Sequence, residues 1–305
     1  MKLPEIIIDK LIEEKSSPRF DQTIEINGHT YHYYINNSIL FTQMCRAYYL
    51  LAKELGVPSA EYDYVRKNGI NILLSKRICE PEEELIELSD LPEDLRECNY
   101  TRDYYDYIQL WEKVINTFPF ENKEQALKDL YKQWFFGLLV FDDDKQTSVV
   151  KGSNGLCRIG EQFDYGGVYM MQDGHQLDID IYYDKEEFEK FCLDWIASGE
   201  KPYYTTEILN AEVDELINKE VFEDIAWREG CDETLLKIIP HLDTEFINKC
   251  FSTNIIDVLN KDTEHEYSDN FRKVIFCMFE TSKDMLKEKV SNLPHEMKQT
   301  ESTKK

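Results

Sequence analysis

Four aspartates carry the most suggestive chemistry in the sequence. Asp142, Asp143 and Asp144 follow directly on the apolar run FFGLLVF, and Asp164 sits further on in QFDYGG. Like charges held close together cost energy unless a cation or a proton relieves them. In phosphoryl transfer that relief is functional. One carboxylate orients the attacking hydroxyl, and another holds the magnesium ions that bridge the nucleotide phosphates. A solvated turn at a helix end is equally rich in aspartate, and Asp-Tyr-Gly-Gly is an ordinary turn sequence. Spacing alone leaves both readings open.

Particular elements would have to bring these acids together. Residues 122–141 place large apolar side chains at helical spacing, as do residues 102–118. Between the acids, SVVKGSNGLCRIGEQFDYGG reads as a hairpin that turns between Gly152 and Gly155. Asp144 and Asp164 would then lie near the two ends of one β-ribbon. Upstream, Asn27-Gly28 and Asn68-Gly69 sit between β-branched and aromatic runs and predict two more hairpins. The stretch between those hairpins, Ile39 to Gly56, reads as a helix closed by Gly56, with Pro58 beyond it. A short helix is expected over residues 3–15, and further helices over 185–198, 207–218, 243–260 and 268–290. The chain divides into an N-terminal extension (1–22), a β-rich lobe (23–95), a helical lobe (96–292) and a disordered tail (293–305). The fold class is α+β with two lobes, the smaller one β-rich, and a cleft between lobes is a favoured ligand site.

Composition narrows the partners. Sixty acidic residues oppose 35 basic ones, for a formal charge of -25. A field of that sign repels phosphate backbones and anionic lipid heads, so neither nucleic acid nor a membrane is expected as a direct partner. An acidic surface also serves solubility alone. The eight cysteines include no C-x-x-C pair, which argues against a zinc ribbon or a dithiol motif and for buried free thiols in a reducing compartment. The start MKLPEIIIDKLIEEK turns acidic too soon for a signal peptide, and the expected location is cytoplasmic.

The segment LAKELGVPSAEYDYVRKNGINILLSKRI resembles the N-lobe of HipA-like kinases, relatives of the phosphatidylinositol-kinase-like fold. The matching positions are Leu55, Gly56, Pro58, Ser59, Ala60, Tyr62, Asp63, Ser75 and Lys76. FFGLLVFDDDKQTSVV is similar to the catalytic-loop segment of that family, and EQFDYGG to its metal-binding turn. The ordered set spans roughly residues 25–170, about half of the chain. The resemblance implies a two-lobed protein-kinase-like fold. It also implies a catalytic role for Asp144, with Lys145 on the basic position and Gln146 on the position of the catalytic-loop histidine. Asp164 would bind the metal, and the cofactors would be ATP and Mg2+. Asp142 and Asp143 match no position with a role. Bacterial proteins with this resemblance often belong to toxin–antitoxin or mobile-element systems, which implies a protein partner.

The departures from the family bear on activity. The loop asparagine that supplies a second magnesium ligand should fall near Ser148 or Val149, and neither is asparagine. A strand lysine should reach the nucleotide phosphates, with a helix glutamate to pair it. Yet YHYYIN offers Asn36 at that position, and the stretch from Ile26 to Cys45 has no acid or lysine at all. Arg46 or Lys76 would have to move in, and Lys76 is the candidate cofactor-binding cation. Only Gly28 precedes Gly56, so no glycine-rich phosphate loop is present in the first lobe.

Other features are bland. His29 and His32 lie three apart in a strand and so face opposite ways. His175, His241, His265 and His295 are isolated, and His265 falls in a polar loop, DTEHEYSD. The tyrosines of NYTRDYYDYIQLWEKV read as a core stripe beside Trp111. Asp178, Asp180 and Asp184 lack the spacing of a calcium loop and read as a solvated strand face. Two functional readings follow. One is a divergent Ser/Thr protein kinase. The other is a pseudokinase, or non-catalytic acidic protein-binding module, that keeps the fold with transfer weakened or lost.

Overall fold

Both Asn-Gly dipeptides turn as the sequence requires. Asn27 and Gly28 have φ of 53° and 80°, and Asn68 and Gly69 have φ of 54° and 79°. Two successive residues at positive φ make the turn whose twist matches flanking antiparallel strands. The structure, a computed structural model, describes residues 8, 9, 11, 23–36, 39–96, 104–140, 147–163 and 235–293. The first hairpin is β1 (Thr23–Ile26) with β2 (His29–Asn36), and the second is β3 (Tyr62–Lys67) with β4 (Ile70–Lys76). They join in one antiparallel sheet of order β1-β2-β4-β3, with Tyr33 opposite Leu74 and Tyr64 opposite Leu73.

Side chains alternate across that sheet with period two. Tyr31, Tyr33, Ile72 and Leu74 face one side, where Ile8 and Leu11 cover them. Tyr62, Tyr64 and Leu73 belong to the main core on the other side, together with helix α1 (Ile39–Leu55). That helix ends in a Schellman cap. Gly56, at φ 76°, donates its N–H to the Lys53 carbonyl, and Val57 donates to Ala52 across 2.9 Å.

The rest of the described chain is mainly helical. After β5 (Glu84–Ile86) and the one-turn α2 (Glu93–Arg96) come α3 (Tyr104–Thr117) and α4 (Lys123–Val140). The last turns of α4 are wholly apolar, and every residue from Gln133 to Val140 is buried. The ribbon expected after it forms as β6 (Val149–Lys151) and β7 (Cys157–Ile159). Unexpectedly, β5 pairs with β6 to complete a second sheet, β5-β6-β7. A three-residue strand leaves too little periodicity to read, and its register shows only through its partner, where Glu84 Oε2 lies 2.9 Å from Lys151 Nζ.

One helix expected over 243–260 is instead two, α5 (Thr244–Ser252) and α6 (Ile255–Lys261). Thr253 and Asn254 adopt extended angles, and the Asn254 side chain accepts the Ile256 N–H at 2.8 Å. Small polar side chains offer the backbone this alternative to a continuous helix. The last helix, α7 (Asp269–Asn292), is capped by Ser268 and packs on α4. The architecture is thus α+β, with a β-rich part followed by a helical part. Among the described residues no helix is long and apolar enough to cross a membrane. The expected helices at 185–198 and 207–218 and the tail from 294 lie outside the described residues.

Candidate functional site

The ribbon β6–β7 leads back to the first sheet. Gly160 donates to the Ser148 carbonyl across 2.9 Å, extending the ribbon by one pair. Gln162 then lies alongside the segment that follows α1. Its N–H donates to the Pro58 carbonyl at 3.1 Å, and its own carbonyl accepts from Ala60 at 2.9 Å. The side chain of Gln133, buried in α4, closes the junction by donating to Gly160 O at 2.7 Å and to Pro58 O at 3.1 Å. Two stretches singled out in the sequence, Pro58–Ser59–Ala60 and Glu161–Gln162–Phe163, are therefore in direct contact. The structure also explains Gly160. A Cβ there would collide with the Ser148 hydroxyl.

Asp144 and Gln146, the expected catalytic pair, lie outside the described residues. So do Asp164, the expected metal ligand, and Asp142, Asp143 and Lys145. Of the expected residues, Lys76 is described. It ends β4, its N–H donates to Glu61 O at 2.8 Å, and its ammonium stands 4.0 Å from the Glu61 carboxylate, with a third of the side chain exposed. The two positions near which the loop asparagine was expected are closed. Val149 is fully buried in β6, and Ser148 is buried against Gly160. Among the described residues no group of three or more His, Cys, Asp and Glu could hold a metal ion.

Arg46, the other cation weighed for the phosphates, is engaged elsewhere. Its Nη1 donates to the Tyr62 carbonyl at 2.6 Å and stands 4.0 Å from Asp63. Its Nε lies 3.3 Å from Asp262, in the connector between α6 and α7. The same connector supplies His265, which is not the isolated loop histidine expected but is 7% exposed at its side chain. One ring nitrogen, Nε2, faces Asp63 at 2.8 Å and the Tyr64 carbonyl at 3.1 Å. The other, Nδ1, faces Asp262 at 3.2 Å. Both nitrogens thus face only acceptors, which calls for two donors and a positively charged ring. Tyr267 donates its hydroxyl to Asp262 at 2.7 Å, and Gln43 donates to the Glu266 carbonyl at 3.1 Å.

The electrostatics follow from this geometry. Burial alone would lower the pKa of His265, but its bonds to Asp262 and Asp63 outweigh burial and raise it to about 9. Burial likewise opposes ionisation of Asp262 and Asp63. Hydrogen bonds from His265, and further donors including Tyr267 on Asp262 and the Tyr64 N–H on Asp63, hold both carboxyls below the ordinary range. Burial and then Asp262 push the Tyr267 phenol well above its usual value. Two cations and two carboxylates balance, and each is spent on the others. Such a set ties β3, α1 and the connector to one another. Sequence reading missed it because its members are far apart in the chain. The available signal was Asp63 between two strand tyrosines and Arg46 within an apolar helix, since charges in core-facing patterns require partners.

No family model matches the chain, and no curated relative matches it. Solved structures do. A Helicobacter pylori proinflammatory kinase, CtkA, superposes with a TM-score of 0.52 at 13% identity, covering 86% of this chain and 89% of that one. The two share a fold. HipA of Shewanella oneidensis MR-1, solved with HipB and operator DNA, matches with a TM-score of 0.46 at 11% identity, over 92% of this chain and 70% of that one. At these identities the likeness concerns backbone architecture and assigns no residue a role.

Proposed function

We propose that the chain is a divergent protein of the kinase fold in which phosphoryl transfer is weakened or lost and the fold serves mainly for binding. The observation that carries this reading is the fold shared with the kinase CtkA over most of both chains. The weakening is supported by Arg46, which Asp262 and Asp63 neutralise, and by Ser148 and Val149, which offer no second metal ligand. In this reading Asp164 would hold a magnesium ion, Asp144 and Gln146 would carry the catalytic roles, and Lys76 would be the cation for the phosphates of ATP. An acidic chain of net charge -25 suits a protein partner rather than nucleic acid.

Titration calorimetry of the full chain with ATP, with and without magnesium, tests this. Weak binding that needs the metal and disappears in Asp164→Ala is expected, with phosphate transfer no faster than in Asp144→Asn. Transfer that falls a hundredfold or more in Asp144→Asn would overturn the weakened-catalysis reading. Absence of any ATP binding would remove the nucleotide altogether and leave the protein-binding module.

A further inference from the structure

Strand β3 is one edge of the four-stranded sheet, and an uncovered edge presents unpaired carbonyls and N–H groups. Here the cover comes from α1 and from the far end of the described chain. The Tyr62 carbonyl accepts from Arg46, and the Tyr64 carbonyl lies 3.1 Å from His265 Nε2. The His265 ring also packs on the Tyr64 ring, with centroids 4.3 Å apart. From the connector, Asp262 reaches both Arg46 and His265, and the Glu266 carbonyl takes the Gln43 side chain of α1. Lys261 adds an exposed pair to Glu54 near the end of α1, at 3.1 Å.

We propose that the connector Asp262–Tyr267 is a latch that locks the β3 edge to the C-terminal helices, so that strand edge and connector open and close as one unit. Each buried charge has partners on another element. Asp63 of β3 is bonded to His265 of the connector, and Arg46 of α1 to Asp262 of the connector. Releasing the connector alone would leave Asp63 with Arg46 at 4.0 Å as the cation beside it and would uncover the Tyr64 carbonyl. A half-open state therefore strands buried charge and backbone polar groups, and is disfavoured against both closed and fully open states. Motion of the sheet relative to the helices, the kind of movement two-lobed folds use to close on a ligand, has to pass through this latch.

Hydrogen exchange on the full chain decides it. In His265→Gln, peptides covering 62–67 and 262–268 should exchange faster together, by tenfold or more, while those of α3 and α4 stay unchanged. Tyr267→Phe keeps the buried ring and removes only the bond to Asp262, so it should show the same paired rise at smaller size. It also decides the question should His265→Gln fail to fold. A rise confined to 262–268 with β3 unchanged, or one spread evenly over the molecule, would overturn the latch.

Discussion

Among the described residues, two buried junctions of opposite chemistry help fasten the β-rich part of the molecule to the helical part. At the first, Gln133 and the backbone of Gln162 tie α4 and the β6–β7 ribbon to Pro58 and Ala60 through neutral amides and carbonyls. At the second, Arg46 and His265 face Asp63 and Asp262. Both are buried, and both join residues distant in sequence. A neutral hydrogen bond is individually modest, and its loss leaves a carbonyl that small rearrangements can satisfy. A buried charge has no such recourse, because its desolvation is already spent and only the partner offsets it. The charged junction is therefore the more cooperative of the two, and the neutral one the more tolerant.

The comparison predicts its largest effect at Arg46. Arg46→Ala takes one cation from Asp262, which keeps His265 and Tyr267, and one donor from the Tyr62 carbonyl, at side-chain sites that are 2% and 11% exposed for Asp262 and Arg46. Breaking one partner of a buried ionic set costs about 3–5 kcal/mol. Urea unfolding should show a lower midpoint at an unchanged slope, and a loss under 1 kcal/mol, to order of magnitude, would mean that the charges are solvated rather than buried. At the neutral junction, Gln133→Leu keeps the volume but withdraws the donor from Gly160 O and Pro58 O. Two carbonyls left short of one donor cost about 1–3 kcal/mol. The same unfolding measurement should rank the two variants in that order, and the reverse order would break the distinction.

The two junctions also differ in how far the sequence announced them. Pro58 stood out because it follows a helix closed by Gly56, Ser59 and Ala60 stood out only through the family resemblance, and the ribbon at 149–159 was legible from its turn glycines and valines. Local rules of period and turn chemistry suffice for such elements, and they gave both Asn-Gly hairpins and the long helices. What local rules do not give is which distant elements meet. Nothing near His265 names Asp63, and DTEHEYSD is as polar as any exposed loop. Its burial follows from α6 packing on α1 while α7 packs back on α6, an outcome that no window of neighbouring residues contains. The same limit applies to β5, whose three residues acquire a register only against β6, and to the break at Thr253 and Asn254, where capping wins over the apolar period.

A pH series separates the junctions at the smallest scale. The folded state raises His265 from an ordinary 6.5 to about 9. Stabilisation from that shift is complete below pH 6.5 and is lost as the pH rises through about 9, because the unfolded chain gives up its proton first. Asp63 and Asp262 are held below the ordinary 3.8, so their contribution is present above that value and fades as the medium turns strongly acidic. Tyr64, pushed up to about 12, and Tyr267, pushed higher, keep their protons across the alkaline window. Unfolding free energy should therefore hold level through mildly acidic pH and decline on the alkaline side, by on the order of 1–2 kcal/mol once solvent screening is allowed for. In Gln133→Leu the curve should shift down with its alkaline decline intact, since no titrating group sits at that junction's hydrogen bonds. In His265→Gln the decline between about pH 6.5 and 9 should flatten, while above about 10 the raised phenols of Tyr64 and Tyr267 add a decline of their own in both proteins. A decline that survives in the lower range in His265→Gln would move the pH sensitivity, and with it the contrast between the junctions, to some other group.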